Sequence, residues 1–332
     1  MRRLWNVARE FDNNSKFAIV GPGGVGGYLG GLLLDAGLDV TFVARPKTAE
    51  VLRAEGLILE TVEKKIVLPT VKAVDHVSEL SDVDVVLLTT KSFDLSEVAQ
   101  EFGPEIRENS TVITFQNGLE GDRIVSETAP GTRVFPGVAY IVAKKAAPGL
   151  IQQTAGPRTF EFGDRTGEAQ DELRSLALVM RHAGVDVQCS ENIEKALWTK
   201  LIWIAAFSGV TGVTRTSIGN IVNDPAGMKF FEDCVDESIA VAQAVGVDVG
   251  DEQKTKVMAK AVGYQTVGGG ATSSLALDIS NGRPTELEAI HGALVRLASE
   301  ARVDVPVLSL VYNAIRIGHE IPLGNHESAS PR

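Results

Sequence analysis

Four glycines in six residues constrain the first part of this chain more than any other feature. Phe17-Ala-Ile-Val20 is a short apolar run that stops at Gly21, and Gly21-Pro22-Gly23-Gly24-Val25-Gly26 follows it directly. Val25, Leu29, Leu32 and Leu33 then recur at helical spacing, and Asp39 to Ala44 reads as a second strand. In a strand–turn–helix of this kind Gly21 allows the tight turn, Gly23 lets the backbone approach a pyrophosphate, and Gly26 lets helix and strand pack closely. The helix N-terminus adds unpaired N–H groups and a dipole that favours an anion. Gly21 to Gly26 are therefore candidate dinucleotide-binding residues, Pro22, Gly24 and Val25 included.

The second strand runs into Arg45, with Lys47 close behind. An acidic residue near this place suits a ribose 2′-hydroxyl, whereas an arginine suits a 2′-phosphate, so Arg45 points to NADPH unless it is simply a solvated charge. Two later strands end in Thr89-Thr90-Lys91 and Gln116-Asn117-Gly118. Ligands of open α/β sheets bind at the carboxyl ends of strands, which makes Lys91 and Asn117 candidates as well as possible loop residues.

The rest of the first half repeats the theme. Ile66–Leu68, Val83–Leu88 and Thr111–Phe115 read as strands and Leu95–Phe102 as a helix, which argues for a parallel, doubly wound sheet. From Val134 to Phe162 the pattern changes to runs such as Phe160-Glu-Phe162, as in antiparallel edge strands. Beyond about Glu168 the period becomes almost wholly helical, over 168–183, 192–208, 226–246, 251–262, 285–302 and 306–318. The expected organisation is a polar extension over 1–15, a Rossmann-type α/β domain over 16–187, an all-α domain over 188–324, and a disordered tail over 325–332. A chain of 332 residues makes two domains the default.

With 44% hydrophobic and 23% charged residues the chain can bury a core. Its net charge of −11, without a compensating basic stretch, disfavours nucleic-acid and anionic-membrane partners. Cys189 and Cys234 form no CxxC pair and the five histidines are scattered, so neither a disulfide framework nor a metal site is expected. The N-terminal residues hold no signal-peptide core, and the apolar stretch Ala196–Val213 reads as a buried helix rather than a membrane span. A cytoplasmic protein is the default, and a homodimer is compatible with the sequence.

Within that apolar stretch Ile193, Leu197, Lys200 and Ile204 share one helix face, and nothing else charged lies between Lys195 and Arg215. A buried ammonium must be paired, reach water by its stem, or lose its proton. Desolvation lowers a lysine pKa, which is how a lysine becomes an acid or base near neutral pH. Glu286, after Pro284, is either its partner or an acidic residue on a helix dipole. Ser273 and Ser274, after Gly268–Gly270, can bond a carboxylate or cap a helix.

Taken together, the glycine loop, Arg45, Thr90-Lys91, Gln116-Asn117-Gly118, Ala196-Leu-Trp-Thr-Lys-Leu201, Ser273-Ser274-Leu275 and Pro284-Thr-Glu286 through Gly292 resemble the ketopantoate reductase (2-dehydropantoate 2-reductase) family, from about Lys16 to Gly318. The resemblance implies a Rossmann domain followed by a helical domain, with NADPH and a 2-keto acid bound between them, and hydride transfer giving pantoate for pantothenate and coenzyme A synthesis. It implies that Lys200 is the catalytic acid and that Glu286 interacts with lysine and cofactor. Asn117 then lies near nicotinamide ribose and substrate, Lys91 and Ala143 touch the cofactor, and Ser274 holds the substrate carboxylate. Ile204, Ser208, Ile218 and Ala271 stand where the family often has polar side chains, Ile204 and Ser208 among its substrate-binding positions, which makes the pocket more apolar. The reading is an NADPH-dependent ketopantoate reductase. Its rivals are a reductase of another 2-keto acid or an imine, and a non-catalytic NADPH-binding sensor.

Overall fold

A computed structural model describes residues 9–265 and 270–320. The chain forms two compact units, Met1–Leu197 and Trp198–Arg332. Gly268, Gly269, the tail over 325–332 and the first residues of the extension over 1–15 lie outside the described residues. The end of that extension is packed onto the first unit: Phe11 is buried, and its N–H donates to Ser175 Oγ at 3.2 Å.

In chain order the first unit comprises β1 (Lys16–Val20), α1 (Gly24–Asp35), β2 (Asp39–Val43), α2 (Pro46–Glu55), β3 (Leu57–Glu60), β4 (Lys65–Leu68) and β5 (Lys72–Val74). It continues through β6 (Val85–Leu88), α3 (Leu95–Gln100), α4 (Pro104–Asn109), β7 (Thr111–Thr114) and α5 (Gly121–Thr128). The long strands β8 (Arg133–Ala147) and β9 (Leu150–Phe162), then α6 (Gln170–His182) and β10 (Asp186–Cys189), complete it. The strands form one sheet in the order β4-β3-β9-β8-β7-β6-β1-β2-β5, with β10 also paired to β9. From β8 to β5 every pair is parallel. β1 shows why these strands read as unbroken apolar runs: Phe17 and Ile19 pack with Leu29, Leu33 and Phe42 on one face, Ala18 and Val20 with Val86, Leu88 and Leu95 on the other.

Three expectations need correcting. β8 and β9 are not edge strands, because β9 pairs in parallel with β3 through Ile58 and Leu150. Ile66–Leu68 is not one of the parallel strands; β4 pairs antiparallel with β3 and ends the sheet. The stretch beyond Glu168 also contains a strand, β10, registered on β9 from Thr159 to Phe162.

α7 (Ile193–Thr214) leads into the second unit, followed by α8 (Ile218–Asn223), α9 (Pro225–Ala244), α10 (Asp251–Gly263) and α11 (Ser274–Ser280). A π-helical turn (Glu288–Gly292), α12 (Ala293–Ala301), α13 (Pro306–Ile315) and a second π-helical turn (Arg316–Glu320) follow. α7 is long and apolar enough to cross a membrane by length and composition, but 61% of its most apolar window is buried inside the protein. That is the burial expected of a core helix.

Candidate active site

In the first unit the sheet reverses direction of winding at β1, which lies between β2 and β6, and this switch point is where open α/β sheets hold ligands. The glycine loop sits there. Gly21 has φ +88°, and a Cβ on it would lie 2.8 Å from the Thr90 backbone nitrogen. A Cβ on Gly24 would lie 2.2 Å from the Ala143 carbonyl oxygen, and one on Gly26 would lie 2.2 Å from Thr89 Oγ1. Gly23 differs: its Cβ would meet only the Gly21 carbonyl oxygen, at 3.9 Å. The loop is thus packed against protein at Gly21, Gly24 and Gly26 and open at Gly23. Gly23 caps α1 without a side chain, leaving the first-turn N–H groups of Gly24, Val25 and Gly26 to bind an anion. These residues fit a dinucleotide pyrophosphate, with Pro22 in the turn before them.

Neighbouring strand ends are tied to this loop. Thr89 Oγ1 donates to the carbonyls of Val20 and Gly21 at 3.0 and 2.9 Å, and Gln116 Nε2 donates to the Thr90 carbonyl at 3.3 Å. Lys91 and Asn117, both half-buried, therefore follow the carboxyl ends of two adjacent strands, β6 and β7. Gly118, at φ +103°, makes the turn after Asn117. Ala143 reaches the loop because the β8–β9 pairing is irregular on both sides of Val142. Arg45 closes β2 with its side chain 83% exposed and pairs with Asp94 at 3.2 Å. The sequence does not announce Asp94, which belongs to no motif.

In the second unit α7 buries most of its surface, yet Lys200, Trp203, Ile204 and Phe207 are only half-buried. At 100° per residue these four fall within about 100° of the helix surface. Lys200 is thus on an open stripe of a core helix. It keeps a fringe of solvent contact, while burial around the ammonium lowers its pKa from 10.5 to about 8. Attraction to Glu286 opposes this shift and repulsion from Lys260 adds to it. Glu286 is 7% exposed and immediately precedes the first helical residue, Leu287, so it is a buried carboxylate facing a lysine rather than a solvated charge on a helix dipole.

Lys260, on α10, escapes a sequence reading because Glu252, Lys256 and Lys260 look like an ordinary charged helix face. Its ammonium lies 3.9 Å from the centroid of the Trp203 ring, and burial lowers its pKa. Trp203 also stacks on Phe207 at 5.4 Å and on Tyr264 at 6.2 Å.

Ser273 is the N-cap of α11: its hydroxyl accepts from the Ala276 N–H at 3.0 Å and is bonded to Thr211 Oγ1 at 2.8 Å. Ser274, the next residue, is exposed. Ser208 is 3% exposed, with a hydroxyl that has no protein partner. Ile218 and Ala271 meet through their backbones, the Ile218 N–H donating to the Ala271 carbonyl at 2.9 Å. His291, in the first π-helical turn, is fully buried, and its ring bonds the Ala205 carbonyl of α7 at 3.0 Å. The carbonyl can only accept, so Nε2 carries the proton; burial lowers the ring pKa to about 4. This bond ties α7 to the segment that begins at Glu286, a link without a sequence signal because the two partners are distant in the chain.

Comparison with known proteins agrees with this fold. Residues 17–167 match the family described as Ketopantoate reductase PanE/ApbA, and residues 192–319 match Ketopantoate reductase PanE/ApbA C terminal. The "Uncharacterized oxidoreductase YkpB" of Bacillus subtilis is 31% identical over 299 residues, covering 90% of this chain and 96% of that protein. A 2-dehydropantoate 2-reductase of Halobacterium salinarum is 26% identical over 308 residues, covering 91% and 98%. A ketopantoate reductase structure from Ralstonia eutropha superposes with a TM-score of 0.83 at 28% identity, covering 92% and 98%. A D-mandelate dehydrogenase solved with NADH and anilino(oxo)acetate shares the fold, with a TM-score of 0.82 at 21% identity over 92% and 98%. The chain belongs to the ketopantoate reductase family of nicotinamide-dependent oxidoreductases.

Proposed function

We propose that this protein reduces a 2-keto acid to the 2-hydroxy acid with NADPH, Lys200 giving the proton. The first unit holds the cofactor and the second carries the acid. Ketopantoate, reduced to pantoate for pantothenate and coenzyme A synthesis, is the first candidate substrate. The observation that carries the reading is Lys200 on the open stripe of α7, with Glu286 buried nearby and a pKa of about 8.

A bound reduced nicotinamide supplies the hydride that reaches the keto carbon. Charge then grows on the keto oxygen, where the Lys200 ammonium stabilises it and transfers its Nζ proton. The lysine recovers a proton from solvent, and Glu286 favours its charged form. Gly21 to Gly26 hold the pyrophosphate and Arg45 reads the 2′-phosphate. Lys91 and Ala143 contact the cofactor. Asn117 orients ribose and substrate, Ser274 takes the carboxylate, and Ile204 and Ser208 flank the substrate. A non-catalytic sensor has no use for a lysine tuned in this way.

The test is oxidation of NADPH and of NADH in the presence of ketopantoate and other 2-keto acids, for the wild type and Arg45→Ala. Turnover is expected, with Arg45→Ala raising the KM for NADPH by about tenfold or more and that for NADH little, as loss of a charge-assisted contact requires. Tight NADPH binding without turnover of any 2-keto acid would instead make the protein a sensor.

A further inference from the structure

The open stripe of α7 runs from Lys200 through Trp203, Ile204 and Phe207, and Tyr264 lies against it. Centroids of Trp203, Phe207 and Tyr264 are 5.4 to 6.3 Å apart and their planes lie within 21° of each other. All three rings are half-buried, whereas Phe231, which meets the Trp203 edge at 5.9 Å, is fully buried and belongs to the core. Nearly parallel rings at this spacing leave faces and edges on which a further ring can stack. Trp203, Ile204 and Phe207 present a mostly apolar surface, with the indole N–H, the Tyr264 hydroxyl and the unpartnered Ser208 hydroxyl as its polar groups.

Charge on the same face is of the opposite kind. Glu286 and Lys260 both act electrostatically on Lys200, which brings two cations and one anion to this part of the unit. Their sum of +1, in a chain whose total is −11, is the charge that a single carboxylate neutralises. Lys260 is fixed over the Trp203 ring and makes this site cationic beside an aromatic wall.

We infer that the preferred substrate is a 2-keto acid with an aromatic side chain, its ring against Ile204 and the Trp203–Phe207–Tyr264 wall and its carboxylate drawn to Lys260, in preference to the hydroxylated ketopantoate. The inference rests on Lys200 being the acid of a 2-keto acid reductase; it changes the substrate and moves its carboxylate from Ser274 to Lys260. A carboxylate held at one end and a ring at the other present the keto group to Lys200 in one orientation.

Steady-state kcat/KM with NADPH is to be compared for ketopantoate, phenylpyruvate and benzoylformate. At least one aromatic acid is expected to exceed ketopantoate by about tenfold, the scale of discrimination that one apolar pocket provides. Ile204→Asn should narrow that ratio by about tenfold, and Lys260→Met should raise KM for the keto acid more than it lowers kcat. Ketopantoate turned over as well as or better than both aromatic acids would overturn the inference and leave the reductase standing. Turnover of none of the three would overturn the inference as well, and only failure with every 2-keto acid tried would overturn the reductase itself. The wild-type ratio decides between these outcomes even where a variant fails to fold.

Discussion

Around Lys200 two charges act with opposite sign. Glu286 stabilises the ammonium and Lys260 destabilises it, on top of the larger effect of burial. If Lys200 is the proton donor, the reaction needs its charged form, so kcat/KM for reduction should fall by about tenfold per pH unit above about pH 8. Glu286→Gln removes an attraction, lowers the lysine pKa and moves that limb to lower pH. Lys260→Met removes a repulsion and moves it to higher pH. pH–rate profiles of the three proteins check both signs, and limbs that move together or not at all would show that another group titrates. Lys200 is legible in the sequence because it interrupts an otherwise uncharged stretch, and Glu286 is legible beside it. Lys260 is not, since nothing in a charged helix face tells which lysine will be laid over a tryptophan ring from another helix.

Among elements, the glycine loop separates folding from binding. A methyl on Gly24 would strike the Ala143 backbone oxygen at 2.2 Å, whereas one on Gly23 would enter open space. Gly24→Ala should therefore lower stability by about 1–3 kcal/mol, the range for overpacking against groups that cannot yield. Gly23→Ala should change stability by less than about 0.5 kcal/mol. It should still weaken NADPH binding by about tenfold or more, because the methyl occupies the approach of the pyrophosphate. Thermal unfolding together with NADPH titration separates the two, and equal losses of stability would mean that the loop is not open at Gly23. The loop, β1, α1 and β2 are readable because strand, glycine and helical spacing agree over one local stretch. The place of β8 and β9 is not, because it depends on β3, a four-residue strand that pairs Ile58 with Leu150. α8 and α11 are too short to show a period, and the bond of His291 to the Ala205 carbonyl joins segments that no local pattern connects.

On the scale of the whole molecule, two units of different class make up the chain: a doubly wound sheet with a glycine cradle at its switch point, and a helical unit that presents Lys200 on a half-open stripe. The chain divides at Leu197 and Trp198, within α7. Helical periodicity alone does not separate α6, placed with the sheet over 16–187, from the helices that follow, since an α-helix covering a sheet and one in a bundle carry the same apolar stripe. At a net charge of −11, the proposed binding of two anions requires positive charge concentrated locally, at Arg45 in one unit and at Lys200 with Lys260 in the other. The central claim is that Lys200 carries the chemistry and takes no part in holding the cofactor. Lys200→Ala, measured for kcat with a 2-keto acid and for NADPH affinity in the same preparation, tests it directly. The prediction is a fall in kcat of about 10²–10⁴-fold with NADPH affinity within a few-fold of the wild type. A variant that keeps most of its activity, or loses NADPH binding along with it, would contradict it.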